Sequence, residues 1–232
     1  MQDFILKLSI MLVPGLMAIT CHEVSHGFVA DKLGDNTARR MGRLTLNPIK
    51  HLDIVGTLMV FIIGIGWAKP VPVNFNNLRN PKRDMIWVAA AGPVTNFSLA
   101  FLSAMLMRLI IFLTGDISKA QLDMFLQPIV LMLAFSIYIN LLLGIFNLIP
   151  VPPLDGGRVA VGLLPYRQAA ALSRIEPFGM IIIIALIFLP DLLHLPSIFE
   201  YVISPVLNFG IHLVAGKESR LIYGVTQLLM KQ

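Results

Sequence analysis

Cysteine is nearly absent. Cys21 stands alone, so an internal disulfide framework is excluded. Charge is scarce as well: Asp, Glu, Lys and Arg make up 13% of the 232 residues, against about 25% in soluble domains. A globule of this size could not cover a water-facing surface with so few charges, which excludes an ordinary soluble enzyme. The formal net charge of +5 could suggest a nucleic-acid partner. However, the basic residues lie between apolar runs and form no repeat or RNA-binding signature, so no nucleic acid is expected. A cleavable leader is not expected either. The first apolar run has no basic start and no convincing small-residue cleavage site, and it leads straight into His22 and His26.

What the chain does have is apolar sequence, 56% of it, gathered into long runs. The first extends from about Phe4 to Leu33, with a kink expected at Pro14-Gly15. A basic stretch follows, holding Lys32, Arg39, Arg40, Arg43 and Lys50, with an alternating Leu44-Thr-Leu-Asn47 that suits a short strand. Ile54–Gly66 is apolar for only 13 residues, short for a crossing and suited to a re-entrant element. In Trp67–Val73, Pro70 and Pro72 forbid helix and suggest an extended edge strand, one that an unwound peptide could join by strand addition. Met85–Leu113 and Gln127–Ile149 read as spanning helices, joined by a connector around Asp116, Lys119 and Asp123 that is poor in basic residues. Apolar runs at Phe178–Leu189 and Ile198–Val214 follow, and the tail from Lys217 to Gln232 alternates basic and apolar residues like an interfacial helix.

The expected fold is therefore an all-α polytopic membrane protein with about five to six membrane segments and a small β-hairpin or re-entrant element. One domain is expected over residues 1–232, with a core at about 4–160 and membrane segments plus an amphipathic tail at about 161–232. The basic loops from Lys32 to Asp84 and from Arg158 to Arg174 set a topology with both on the cytoplasmic side. That places His22, His26 and Asp155 at one depth, toward the cytoplasmic end.

His22-Glu23-Val24-Ser25-His26 carries the clearest chemistry. Residues four apart on a helix lie about 40° apart around its axis, so both imidazoles can face one metal ion. Glu23 lies beside the first ligand and can reach a water there without binding the metal itself. Ionisable groups within a membrane helix are costly, which favours a functional reading over two histidines satisfied by hydrogen bonds. A zinc site needs a third ligand and one open position. Asp155, in a proline-rich apolar context and followed by two glycines, is the best candidate. It could instead cap a helix starting near Gly157, and His51, Asp53 and Glu176 are rival ligands.

The sequence resembles the site-2 proteases, a family of membrane-embedded zinc metalloproteases. The resemblance rests on His22-Glu23-Val24-Ser25-His26, on Asn147-Leu-Ile-Pro150-Val-Pro-Pro-Leu-Asp155-Gly156, and on Ala91-Gly92-Pro93-Val94-Thr95-Asn96. It covers residues 22–157. No PDZ or nucleotide-sensing segment is recognisable, so a minimal form is implied. The resemblance implies one zinc ion held by His22, His26 and Asp155. It also implies Glu23 as the general base, and a peptide bond in or near a transmembrane segment of another membrane protein as substrate. Asn147, Asn140 and Asn96 are candidates for binding the substrate backbone or an oxyanion, with interhelical hydrogen bonding as the plainer role. An integral protein of the plasma membrane is expected. The alternative function is a metal or proton transporter using the same buried polar groups.

Overall fold

Within lipid a chain must satisfy its backbone groups internally, and long apolar runs do so as helices. The computed structural model describes residues 2–63, 66–114, 123–195, 197 and 199–230. They form α1 (Gln2–Lys32), α2 (Thr37–Arg40), α3 (Ile54–Ile63), α4 (Pro81–Thr114), α5 (Asp123–Asn147), α6 (Asp155–Leu163), α7 (Tyr166–Ser173), α8 (Gly179–Leu192), α9 (Ser204–Ala215) and α10 (Ser219–Met230). Among the described residues, five helical stretches are long and apolar enough to cross a membrane: Ile5–Lys32, Pro81–Thr114, Leu126–Asn147, Tyr166–Pro190 and Phe199–Leu229. Proline interrupts the hydrogen-bond ladder of α1 at Pro14, α4 at Pro93, α5 at Pro128 and α8 at Pro190.

Among the described residues the expected hairpin is not there. Ile54–Ile63 is a short helix, and residues 66–74 are joined to the preceding loop through one isolated antiparallel bridge, Leu52 with Ala68. Lys69 N–H extends that contact by donating to the His51 carbonyl at 2.9 Å. The groups a ladder would use next are taken by side chains. Arg43 Nη2 donates to the Lys69 carbonyl at 2.9 Å, and Val71 N–H donates to Glu23. Pro70 and Pro72 offer no donor at all. Leu44–Asn47 is likewise not a strand. The connector at Asp116 and Lys119 lies outside the described residues, as do positions 64–65 of the expected re-entrant run, the Ile198 start of the late apolar run and the last two residues of the tail.

The chain divides into two compact units. The first comprises residues 1–18, 96–145 and 198–232. Its core is built from positions three and four apart: Ala100, Ala104 and Met107 on α4; Val130, Ala134, Ile137 and Leu141 on α5; Leu207, Ile211 and Ala215 on α9. The alanines let helices approach closely, which matters where packing rather than water exclusion drives association. The expected interfacial tail is α10, and it buries Ser219, Ile222, Val225 and Thr226 on one face.

The second unit comprises residues 19–95 and 146–197. Ala30, Leu78 and Val88 pack at its centre with Val29, Leu33, Val73 and Phe75 around them. Asp35, wholly buried, ties its loops together. The carboxylate accepts from Asn74 N–H at 2.7 Å, Asn77 Nδ2 at 2.9 Å, Thr37 N–H at 3.2 Å and the Thr37 hydroxyl. Burial pushes this carboxyl up, but the four donors outweigh it and hold it below the ordinary value of 3.8.

Candidate metal centre

His22, Glu23 and His26 sit on α1, inside the stretch Ile5–Lys32 that is apolar enough to cross a membrane. One helical turn brings the two imidazoles together edge to face, with ring centroids 4.7 Å apart. Asp155 comes from far along the chain. α5 stops at Asn147, a turn containing Pro150, Pro152 and Pro153 reverses the chain, and α6 begins at Asp155 itself. Gly156 and Gly157 make that turn possible. A Cβ on Gly156 would lie 2.2 Å from the Leu148 carbonyl oxygen, and one on Gly157 2.3 Å from Pro152 N. The two glycines therefore serve a tight backbone approach to residues 148–152, and through it set the position of Asp155.

Asp155 Oδ2 lies 3.1 Å from His22 Nε2 and 3.4 Å from His26 Nε2. One ligand atom from each of the three residues falls within 4.8 Å of the others, the one such cluster among the described residues. Oδ2 is buried and makes no hydrogen bond. A buried carboxylate oxygen set between two imidazole nitrogens and accepting no hydrogen bond is a donor set that fits a cation.

α4 supports the cluster from another side. His26 Nδ1 is 2.7 Å from the Val88 carbonyl. A carbonyl only accepts, so Nδ1 carries the proton and Nε2 keeps its lone pair for a metal. One turn along α4, Gly92 faces both rings. A Cβ there would lie 2.5 Å from His22 Cε1 and 2.6 Å from each Nε2 atom. The space a side chain would fill is the space onto which both imidazoles converge. Nitrogen and oxygen donors of this kind, in this number, suit zinc.

Glu23 does not join the three ligands. Its Oε2 accepts from Val71 N–H at 2.8 Å. The rival ligands are engaged elsewhere. His51 is buried with Nε2 2.8 Å from the Thr45 carbonyl. Asp53 caps α3 through Gly56 N–H at 2.8 Å, and Glu176 pairs with Arg158 at 3.1 Å.

The asparagines separate. Asn96 and Asn140 belong to the first unit, both fully buried, and Asn96 Nδ2 donates to Asn140 Oδ1 at 2.9 Å and to the Ala18 carbonyl at 3.3 Å. Asn140 Nδ2 donates in turn to the Ser136 carbonyl at 2.9 Å. Asn147 is the last residue of α5, in the second unit with the metal cluster. Sequence reasoning missed the Val88 carbonyl, the Val71 amide and the part played by Gly92. Backbone groups leave no trace in residue identity. Gly92 did leave one, a helix-weakening residue directly before Pro93 in the middle of an apolar helix.

A membrane-spanning helical protein with a His-Glu-x-x-His turn and a convergent aspartate is, as a class, a membrane metalloprotease. The comparisons agree. The model of "Peptidase family M50" matches residues 110–190, a segment that includes Asp155. Over 200 residues the chain is 40% identical to "Putative zinc metalloprotease YwhC" of Bacillus subtilis, covering 84% of each chain. It is 29% identical over 190 residues to "Putative zinc metalloprotease Rip2" of Mycolicibacterium smegmatis, covering 79% of this chain and 68% of that one. No solved structure gives a significant match. The chain belongs to peptidase family M50, the site-2 proteases, and is a zinc metalloprotease of that membrane-embedded family. Nothing in the comparisons supports the transporter alternative.

Proposed function

We propose that this protein is an intramembrane endopeptidase. It cleaves a peptide bond in or near a transmembrane segment of a membrane-protein substrate, as one metalloprotease domain. The observation that carries this reading is the placement of His22, Glu23 and His26 on an apolar spanning helix, with Asp155 Oδ2 within 3.4 Å of both imidazoles. His22, His26 and Asp155 are the residues to hold zinc. Bound there, zinc supplies Lewis acidity, polarising a carbonyl and making water more acidic. Glu23 accepts a proton from the attacking water and returns it to the leaving amine. Asn147, in the same unit as the cluster, is the asparagine to hold the substrate backbone. For Asn96 and Asn140, their mutual hydrogen bond favours joining helices. The basic loops from Lys32 to Asp84 and from Arg158 to Arg174 support a site toward the cytoplasmic face of the plasma membrane.

The test uses the purified full chain in detergent with a transmembrane peptide substrate. Glu23→Gln is expected to retain zinc and lose cleavage by about 100-fold or more, the loss typical of a removed general base. Asp155→Ala is expected to lose zinc in elemental analysis. Cleavage retained by Glu23→Gln would remove Glu23 from the mechanism, and full zinc occupancy in Asp155→Ala would remove Asp155 from the ligands.

A further inference from the structure

Glu23 and Gly27 lie one turn apart on the same face of α1, and both touch residue Val71. At Gly27 a Cβ would meet Val71 Cγ1 at 2.7 Å, Leu44 Cδ2 at 2.7 Å and Ala38 Cβ at 3.0 Å, so a side chain there would crowd the Val71 side chain against the helix. Pro70 and Pro72 flank Val71, which leaves its amide as the one N–H donor in residues 70–72. That donor points at Glu23 Oε2, 2.8 Å away. The segment is pinned at both ends by buried ionisable side chains. On one side Arg43 Nη2 donates to the Lys69 carbonyl at 2.9 Å, and on the other Asp35 accepts from Asn74 N–H at 2.7 Å.

We infer that residues 69–74 form a clamp in which the Val71 amide, the one N–H of residues 70–72, orients the Glu23 carboxylate for proton transfer. Gly27, Arg43 and Asp35 are positioning residues that seat the clamp. The inference rests on Glu23 being the base. Glu has three side-chain torsions, and a base left free to sample them reaches the productive geometry only part of the time. A hydrogen bond from a fixed backbone donor removes that search before substrate arrives. None of the clamp's groups belongs to the metal-ligating set, so the clamp acts on the proton-transfer step and leaves metal affinity alone.

The deciding experiment replaces the Val71 amide with an ester. The valine α-hydroxy acid is incorporated in the full-length enzyme by nonsense suppression, which deletes the N–H and keeps the side chain. Val71→Pro makes the same deletion by ordinary mutagenesis, and Val71→Ala keeps the N–H while trimming the side chain. Zinc content, kcat and KM for a transmembrane peptide are measured for each, with Glu23→Gln alongside. The ester variant should hold wild-type zinc, lose roughly tenfold or more in kcat as expected for a lost hydrogen bond to a charged group, and keep KM within about twofold. Val71→Ala should stay much closer to wild type than the ester does. An unchanged or raised kcat in the ester variant overturns the clamp, because the contact would then be idle or would obstruct the base. Loss of zinc from the ester variant also overturns it, since the amide would then serve the metal site. If Glu23→Gln still cleaves, the base assignment falls and the clamp falls with it. If Glu23→Gln is inactive while the ester is unaffected, only the clamp is lost.

Discussion

His26 Nδ1 donates to the Val88 carbonyl across 2.7 Å, and this bond assigns the ring's two nitrogens their roles. With the proton on Nδ1, Nε2 is the atom that faces Asp155 Oδ2 at 3.4 Å. The acceptor lies on α4, in the turn before Pro93. Proline has no N–H to close on the Ala89 carbonyl, and its ring crowds that turn.

The same stretch of α4 leads to a prediction at Gly92. Alanine is the better helix former by about 1 kcal/mol, so Gly92→Ala should leave the helix intact or strengthen it. Its methyl would sit 2.6 Å from both Nε2 atoms and compete for the space between them. The expected result is a folded protein with most of its zinc missing, read by elemental analysis alongside helical circular dichroism. Wild-type zinc content in Gly92→Ala would show that the rings can move aside at little cost.

Asp35 allows a prediction about pH. Its carboxyl is held below the ordinary value of 3.8, so the charged form is favoured by folding. Such a contribution is fully present above the unfolded value and is lost as pH falls through the folded one. Asp35→Asn, which turns an acceptor into a donor facing donors, should destabilise the protein by about 1 to 3 kcal/mol at neutral pH. That difference should begin to shrink only below about pH 4. Denaturant titrations of both proteins at several pH values check this, and a difference that vanishes already near pH 6 would contradict it.

Asn140 separates two roles by different measurements. If it joins helices through Asn96, Asn140→Ala should lower stability by about 0.6 to 2 kcal/mol while KM and zinc content stay near wild type. A raised KM with unchanged stability would point to substrate contact instead.

Much of the chain could be read from residue order. Helical crossings follow from apolar run length, because lipid offers the backbone no hydrogen-bond partner. The boundaries came close: the expected Phe4–Leu33 is Gln2–Lys32, and Met85–Leu113 is Pro81–Thr114, extended by a first turn in which Asp84 accepts from Asn80 N–H at 2.8 Å. The hairpin failed for a specific reason. Pro70 and Pro72 do mark an extended segment, but a strand also needs a partner, and here Glu23 and Arg43 take the backbone groups a partner strand would use.

The sequence by itself determined the helical membrane class and the pairing of His22 with His26, because both depend on short-range periodicity. Asp155 could be suspected from its setting, but capping a helix remained open to it until the structure placed it as the first residue of α6 with Oδ2 between the two imidazoles. Only the tertiary structure decided which groups support the histidines and the glutamate. Val88 contributes a carbonyl, Val71 an amide and Gly92 an empty space. Every residue has a backbone carbonyl and nearly every one an amide, so which of them meets His26 or Glu23 depends on how α4 and residues 69–74 pack against α1.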